Sequence, residues 1–252
     1  MLEGASAFVA GGASGLGAAT ATALASAGAK VVVADSDKRR GAAIGRQPGC
    51  TFSAGDVTSA ADVAAAVEAA VALAPLRACV VCAGVGGGES LLDRNGRVHD
   101  LEVFERIVRI NLTGTFNVVR LAAAAMSQND PDEDGQRGVI VATASIAAYD
   151  GQAGATAYAA SKAGVVGLTL PAARDLSRWG IRIVTIAPGL FDTPLAGTMP
   201  ERYRARLDEQ IAFPSRPGDP ADFARLVLAV IENRYVNGET IRIDGGLRPP
   251  PG

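Results

Sequence analysis

A tyrosine and a lysine four residues apart, Tyr158 and Lys162, are the pair in this chain best suited to moving a proton. On a helix that interval places both side chains on one face. A free phenol titrates at about pH 10, too high to accept protons efficiently at neutral pH, and a neighbouring ammonium favours the phenolate and lowers that value. The chain has only four tyrosines and three lysines, and random placement would give such a pair with a probability of about one in twenty. Taken alone, the motif also fits a helix-surface tyrosine beside a paired lysine. Ser145 precedes it, just beyond the apolar run Gly138–Thr143, and Asn111 lies in a long central helical segment. Singly, these two read as a helix cap and a satisfied polar group of the core.

A second chemical signal opens the chain. The run Ala10-Gly11-Gly12-Ala13-Ser14-Gly15-Leu16-Gly17 follows an apolar strand and leads into a helix. Glycines there let the main chain approach a pyrophosphate, and the N–H groups and dipole of the helix start favour its negative charge. A tight structural turn would use the same residues, so the weight comes from the position between strand and helix. Asp35 ends the next strand, where a carboxylate accepts both hydroxyls of an adenosine ribose and repels a 2′-phosphate, favouring NAD over NADP. A solvated loop acid is the plainer alternative, and Lys38, Arg39 and Arg40 follow closely.

These residues need a frame. Apolar runs at Ala5–Ala10, Lys30–Asp35, Cys50–Ala54, Ala78–Ala83, Gly138–Thr143, Ile181–Ala187 and Thr240–Ile243 read as strands. Alanine-rich segments near Leu16–Ala27, Ser59–Leu73, Leu101–Met126, Thr156–Trp179 and Pro220–Asn233 read as helices, the last opened by the cap Asp219-Pro220. Strand and helix in alternation predict a single-domain, Rossmann-type α/β fold over residues 1–252. Its doubly wound parallel sheet has about seven strands, with helices on both faces. The segments Gly84–Gly96, Ser127–Arg137 and Gly189–Gly218 break the rhythm, and the last is expected to carry short helices and to serve as a lid.

Composition narrows the function. With 48% hydrophobic and 20% charged residues, the chain is globular rather than disordered. A formal charge of -2 argues against a nucleic-acid surface, and no apolar run is long enough for a bilayer. Three cysteines are too few for a disulfide framework. Cys79 and Cys82 fall in an apolar strand, facing opposite sides, and read as buried small hydrophobes. With His99 the only histidine, no metal site is expected. The start of the chain, running almost at once into a strand, carries no leader pattern, and a reducing cytoplasm is the expected compartment.

The glycine turn, Asp35, Asn111, Ser145 and Tyr158-Ala159-Ala160-Ser161-Lys162 together resemble the short-chain dehydrogenase/reductase family over nearly the whole chain. A closer resemblance is to the type 2 3-hydroxyacyl-CoA dehydrogenases, also called 17β-hydroxysteroid dehydrogenases type 10. It rests on Thr143-Ala144-Ser145, Leu170-Pro171-Ala172-Ala173-Arg174-Asp175-Leu176, Ala187-Pro188-Gly189-Leu190-Phe191 and Phe213-Pro214-Ser215-Arg216. The resemblance implies an NAD-dependent oxidoreductase interconverting a secondary alcohol and a ketone, with 3-hydroxyacyl-CoA as the expected substrate. A steroid, polyol or xenobiotic ketone is the alternative, and a non-catalytic NAD-binding scaffold is the alternative of another class.

By the same resemblance Tyr158 is the acid/base, Lys162 supports it and binds the nicotinamide ribose, Ser145 bonds the substrate oxygen, and Asn111 holds a water linking Lys162 to solvent. Gly11, Ser14, Gly15, Leu16, Gly17 and Asp35 would hold the pyrophosphate and ribose, and Asp56 with Val57 the adenine. Cys82, where most of the family has asparagine, would border the ribose beside Ala83 and Gly84. Pro188, Phe191 and Thr193 would meet the nicotinamide end. Departures from the pattern are Ala10, in place of a threonine, and Asp192, an acid expected near the substrate entrance. Homotetramers built on the two long helices are implied as well.

Overall fold

The computed structural model describes residues 2–199 and 201–249. The expected domain of residues 1–252 therefore takes in a few positions, Met1 and Pro200 among them, that lie outside the described residues. Seven strands form one sheet: β1 (Ser6–Ala10), β2 (Lys30–Asp35), β3 (Cys50–Ala54), β4 (Leu76–Val81), β5 (Gly138–Thr143), β6 (Ile181–Pro188) and β7 (Thr240–Ile243). Their order is β3-β2-β1-β4-β5-β6-β7 and every pairing is parallel. Strands β1, β5 and β6 are buried along their whole length, which is why they read as unbroken apolar runs rather than as alternation.

Among the described residues eight α-helices accompany the sheet: α1 (Gly15–Ser26), α2 (Lys38–Ile44), α3 (Ala60–Leu73), α4 (Leu101–Val108), α5 (Gly114–Met126), α6 (Thr156–Ser177), α7 (Glu201–Asp208) and α8 (Pro220–Glu232). On one face Leu24 of α1, Ile44 of α2 and Phe223 of α8 pack on the sheet; on the other, Val67 of α3, Val118 of α5 and Ala173 of α6 do so. The connection changes direction between β1 and β4, so a crevice opens there at the carboxyl ends of the strands. Among the described residues, no helix is long and apolar enough to cross a membrane.

The sequence reading differs from this fold at three places that matter. The expected helix Leu101–Met126 is interrupted by a π-helical turn, Arg109–Thr113, between α4 and α5. Apolar periodicity runs through the turn, so the extra residue leaves no trace in the pattern; such turns concentrate at functional sites. Strand β4 ends at Val81 rather than Ala83, because the N–H groups of Cys82 and Ala83 both donate to Ala10 O, at 2.8 and 2.9 Å, and the chain leaves the ladder. Helix α2 had no apolar stripe to announce it; it is started by Asp37, whose carboxylate accepts the Arg40 N–H at 2.9 Å. Segment Gly189–Gly218 carries the short helices expected of it, a 3-10 turn at Ala196–Thr198 and α7.

Candidate active site

The glycine turn is fixed by lack of space. Gly11 has φ of 73°, and a Cβ there would lie 2.3 Å from the Ala83 nitrogen; one on Gly17 would lie 2.1 Å from Gly11 O. Main chain therefore touches main chain, and the start of α1 faces a cleft of about 290 Å³ lined by Gly11, Ser14, Gly15, Leu16 and Gly17. Ser14 is the N-cap of α1 but its hydroxyl makes no bond to the helix, which leaves it available to a ligand. Asp35 closes one end: its Oδ2 accepts the Ala13 N–H at 3.0 Å and its Oδ1 the Asp37 N–H at 2.9 Å. A carboxylate held by two main-chain donors keeps lone pairs for a diol. Asp56 and Val57 form another wall, with Val57 O held by Asn117 Nδ2 at 2.8 Å. An anionic pyrophosphate between two sugars fits this cradle. Of the nearby cations, Arg40 pairs with Asp37, while Lys38 and Arg39 are exposed.

Beyond the cleft lies a cavity of about 500 Å³ with Ser145, Tyr158 and Lys162 in its wall. Leu16, Cys82, Gly84, Thr193 and Leu195 line both spaces, so cleft and cavity are continuous. Helix α6 brings Tyr158 and Lys162 to that junction. The Lys162 ammonium is buried, donates to Thr143 O at 2.8 Å and stands 5.9 Å from the centre of the Tyr158 ring. Burial pushes the Lys162 pKa down to about 8. The Tyr158 phenol moves the other way: burial raises it, and a hydrogen bond with Ser145 opposes the rise. In the protein by itself the phenol thus stays raised, because burial disfavours its charged form; the expected lowering calls on a bound nicotinamide as well as Lys162.

Asn111 sits at the centre of the π turn, wholly buried. Its Oδ1 accepts the Val85 N–H at 2.8 Å, and its Nδ2 donates to Val85 O and to Ser161 Oγ, both at 3.0 Å. Both amide hydrogens are used, so the side chain clamps the segment after β4 to α6. Ser161, passed over in the sequence although it lies inside the Tyr158–Lys162 interval, is the other half of this clamp; its hydroxyl donates to Tyr158 O at 2.7 Å. Ser145 caps a 3-10 turn, Ile146–Ala148, accepting the Ala147 N–H at 3.1 Å.

The remaining positions divide. Pro188 at the end of β6 and Thr193 line the cavity. Phe191 lines it too, but its ring lies edge-on to Phe223 at 6.3 Å and is buried in the core. Cys79 is fully buried, whereas Cys82 is only partly so, correcting the reading of both as core. The Cys82 thiol accepts Thr143 Oγ1 at 3.7 Å, and burial pushes its pKa up to about 11. Asp192 lines neither space; it is exposed and pairs with Arg204 of α7 at 3.2 Å. Tyr203, Leu207 and Leu247, which do line the cavity, carried no signal in the sequence beyond being apolar or aromatic.

Comparison with known proteins agrees with this geometry. Residues 5–204 match the family described as short chain dehydrogenase. The chain is 51% identical over 255 residues to the 3-hydroxyacyl-CoA dehydrogenase type-2 of Drosophila melanogaster, covering 100% of both chains. To the Homo sapiens protein of the same name it is 49% identical over 258 residues, covering 99% of this chain and 97% of that one. The crystal structure of 3-hydroxyacyl-CoA dehydrogenase type-2 from Mycobacterium avium superposes with a TM-score of 0.94 at 45% identity, covering 100% of this chain and 98% of the other. Matched by the family along most of its length and by such relatives from end to end, this chain belongs to the short-chain dehydrogenase family.

Proposed function

We propose that this oxidoreductase interconverts a 3-hydroxyacyl-CoA and the 3-oxoacyl-CoA, with NAD as its cofactor. The observation that carries the reading is the junction itself: a main-chain cradle with a diol-binding carboxylate opens directly onto an apolar cavity at Tyr158, Ser145 and Lys162. NAD, when bound, accepts or supplies the hydride. The rest is done by side chains. Ser145 donates to the substrate oxygen and holds it as charge grows there. Tyr158 takes the alcohol proton, or returns it to the ketone oxygen in reduction. Lys162, held by Thr143 O, orients the cofactor ribose and lends positive charge to the phenolate. Since burial alone raises the Tyr158 pKa, the phenolate becomes accessible only with added positive charge in the junction. The type-2 names of the relatives support the acyl-CoA substrate, and Asp35 supports NAD over NADP.

The exposed faces of α5 and α6 carry Phe116 and Leu170, 56% and 46% exposed, and we assign them to the expected homotetramer. A reducing compartment such as the cytoplasm suits three unpaired thiols. The direct test follows NADH absorbance with acetoacetyl-CoA, a steroid ketone and a simple ketone, each also with NADPH. Fastest NADH consumption with acetoacetyl-CoA is expected. No turnover of any 3-oxoacyl-CoA beside good turnover of a steroid or simple ketone would overturn the substrate.

A further inference from the structure

Asp150 belongs to no reaction motif, yet two guanidinium groups converge on it. It ends the short loop that Ser145 opens: Ser145 caps the 3-10 turn, and the Asp150 N–H donates back to Ile146 O at 2.9 Å. Arg242 of β7 donates through Nη2 to Asp150 Oδ2 and through Nε to Asp244 Oδ2, the latter at 2.9 Å. Its guanidinium carbon lies 5.4 Å from the centre of the Tyr149 ring. Asp244 also accepts Arg248 Nη1 at 2.9 Å, and Arg248 Nε comes within 3.9 Å of Asp150. Two acids and two arginines therefore balance in charge, and the Asp244 side chain is only 9% exposed. Asp150 and Arg242 are partly exposed and Asp244 is the sheltered member, so removing Arg242 leaves Asp244 with its desolvation cost and less of the attraction.

The network lies against the reaction centre. Ser145 and Asp150 both line the cavity, and Ile146 packs with Leu190, Leu207 and Leu247 in a small apolar cluster beside them. We infer that Arg242, acting through Asp150, is a positioning residue: it fixes the far end of the Ser145 loop so that the Ser145 hydroxyl meets the substrate oxygen. This rests on the reading of the cavity as the substrate site. A donor displaced by a fraction of an ångström from the developing charge loses much of its effect on rate.

The test is a double-mutant cycle between Arg242 and Ser145, read by single-turnover NADH oxidation. Arg242→Gln should lower the rate by about tenfold or more in the otherwise natural chain. In a Ser145→Ala background it should lower it far less, because the group being positioned is gone. NADH affinity should stay the same in all four proteins, and Arg242→Lys, which restores one charged contact to Asp150, should recover part of the rate. Equal losses in both backgrounds would overturn the inference, as would a loss matched by weakened NADH binding. Asp150→Asn keeps size and removes charge; it should show the same non-additivity and serves if Arg242→Gln does not fold. The cycle runs with whichever ketone the enzyme reduces best, so failure of the acyl-CoA assignment is seen in the substrate panel and leaves this result readable.

Discussion

The cleft and the cavity share a border but are built from different material. The cleft is main chain: Gly11 against Ala83, Gly17 against Gly11, Asp35 pinned by two N–H groups. The cavity is largely side chain, with Leu190, Met199, Tyr203 and Leu207 arriving from the segment after β6 and Leu247 from the C-terminal stretch. A main-chain site suits the dinucleotide proposed for it, by recognising what such molecules have in common, and a single added methyl group would disturb it. A side-chain site can change residue by residue without moving the frame, which is how one fold serves many substrates. Tyr158, Ser145 and Lys162 stand at the border and belong to both.

Removing the proposed proton acceptor at the border should have the largest effect. Tyr158→Phe keeps the ring and deletes the hydroxyl, so kcat should fall by about a hundredfold or more. NADH affinity, measured by fluorescence titration, should change little because the cradle is untouched. Near-normal turnover would remove Tyr158 as the acid/base. Next comes the methyl test of the cleft. Gly11→Ala forces a carbon against the Ala83 main chain, which no rotamer can relieve. Overpacking of this kind typically costs about 1–3 kcal/mol, so a lowered Tm together with weakened NADH binding is expected. Leu207→Ala, a larger change in side-chain volume but in the cavity wall, should lower Tm by the loss of packing yet leave NADH binding intact and raise the ketone KM. Should Gly11→Ala bind NADH normally, the contrast between the two regions is broken.

Asp35 sharpens the same contrast more gently. Asp35→Ala removes the proposed ribose acceptor and, with it, the repulsion expected toward a 2′-phosphate, with Arg39 exposed nearby. The ratio of kcat/KM for NAD over NADP should drop by about tenfold or more, on the scale of a lost charged hydrogen bond. A wild-type enzyme that already prefers NADP would show that the basic residues govern the cleft.

The difference in material also explains what the sequence could tell. Strands buried on both faces announce themselves as apolar runs, and all seven were legible. The cradle was legible because a main-chain site demands glycine and an acid at fixed places. Asn111 was legible as a residue but not as a clamp, since its partners Val85 and Ser161 are distant in sequence and the π turn leaves the apolar period intact. Cavity residues such as Leu247 were invisible because any apolar side chain reads the same before folding decides which wall it joins. Asp192 was legible by its charge, but its partner Arg204 on α7 could not be foreseen.

Lys162 carries the smallest expected effect, and it tests the border from the protein side alone. Its ammonium is buried with no carboxylate partner among the described residues, and its pKa falls from 10.5 to about 8. The facing titratable groups, Cys82 and Tyr158, are both pushed upward, Cys82 to about 11. Below pH 8 both folded and unfolded chains keep the Lys162 proton, and the folded state bears the whole penalty. Between about 8 and 10.5 the unfolded chain holds more protons than the folded one, so stability contributed by this residue rises with pH across that window. Lys162→Met lacks the titration, and its loss of the bond to Thr143 O is the same at every pH. The Tm of the cofactor-free natural chain, measured relative to Lys162→Met, should therefore climb by a few degrees from about pH 7 to about pH 10. Parallel curves over that range would mean that Lys162 titrates as a solvated lysine, and that the border between cleft and cavity is wet rather than closed.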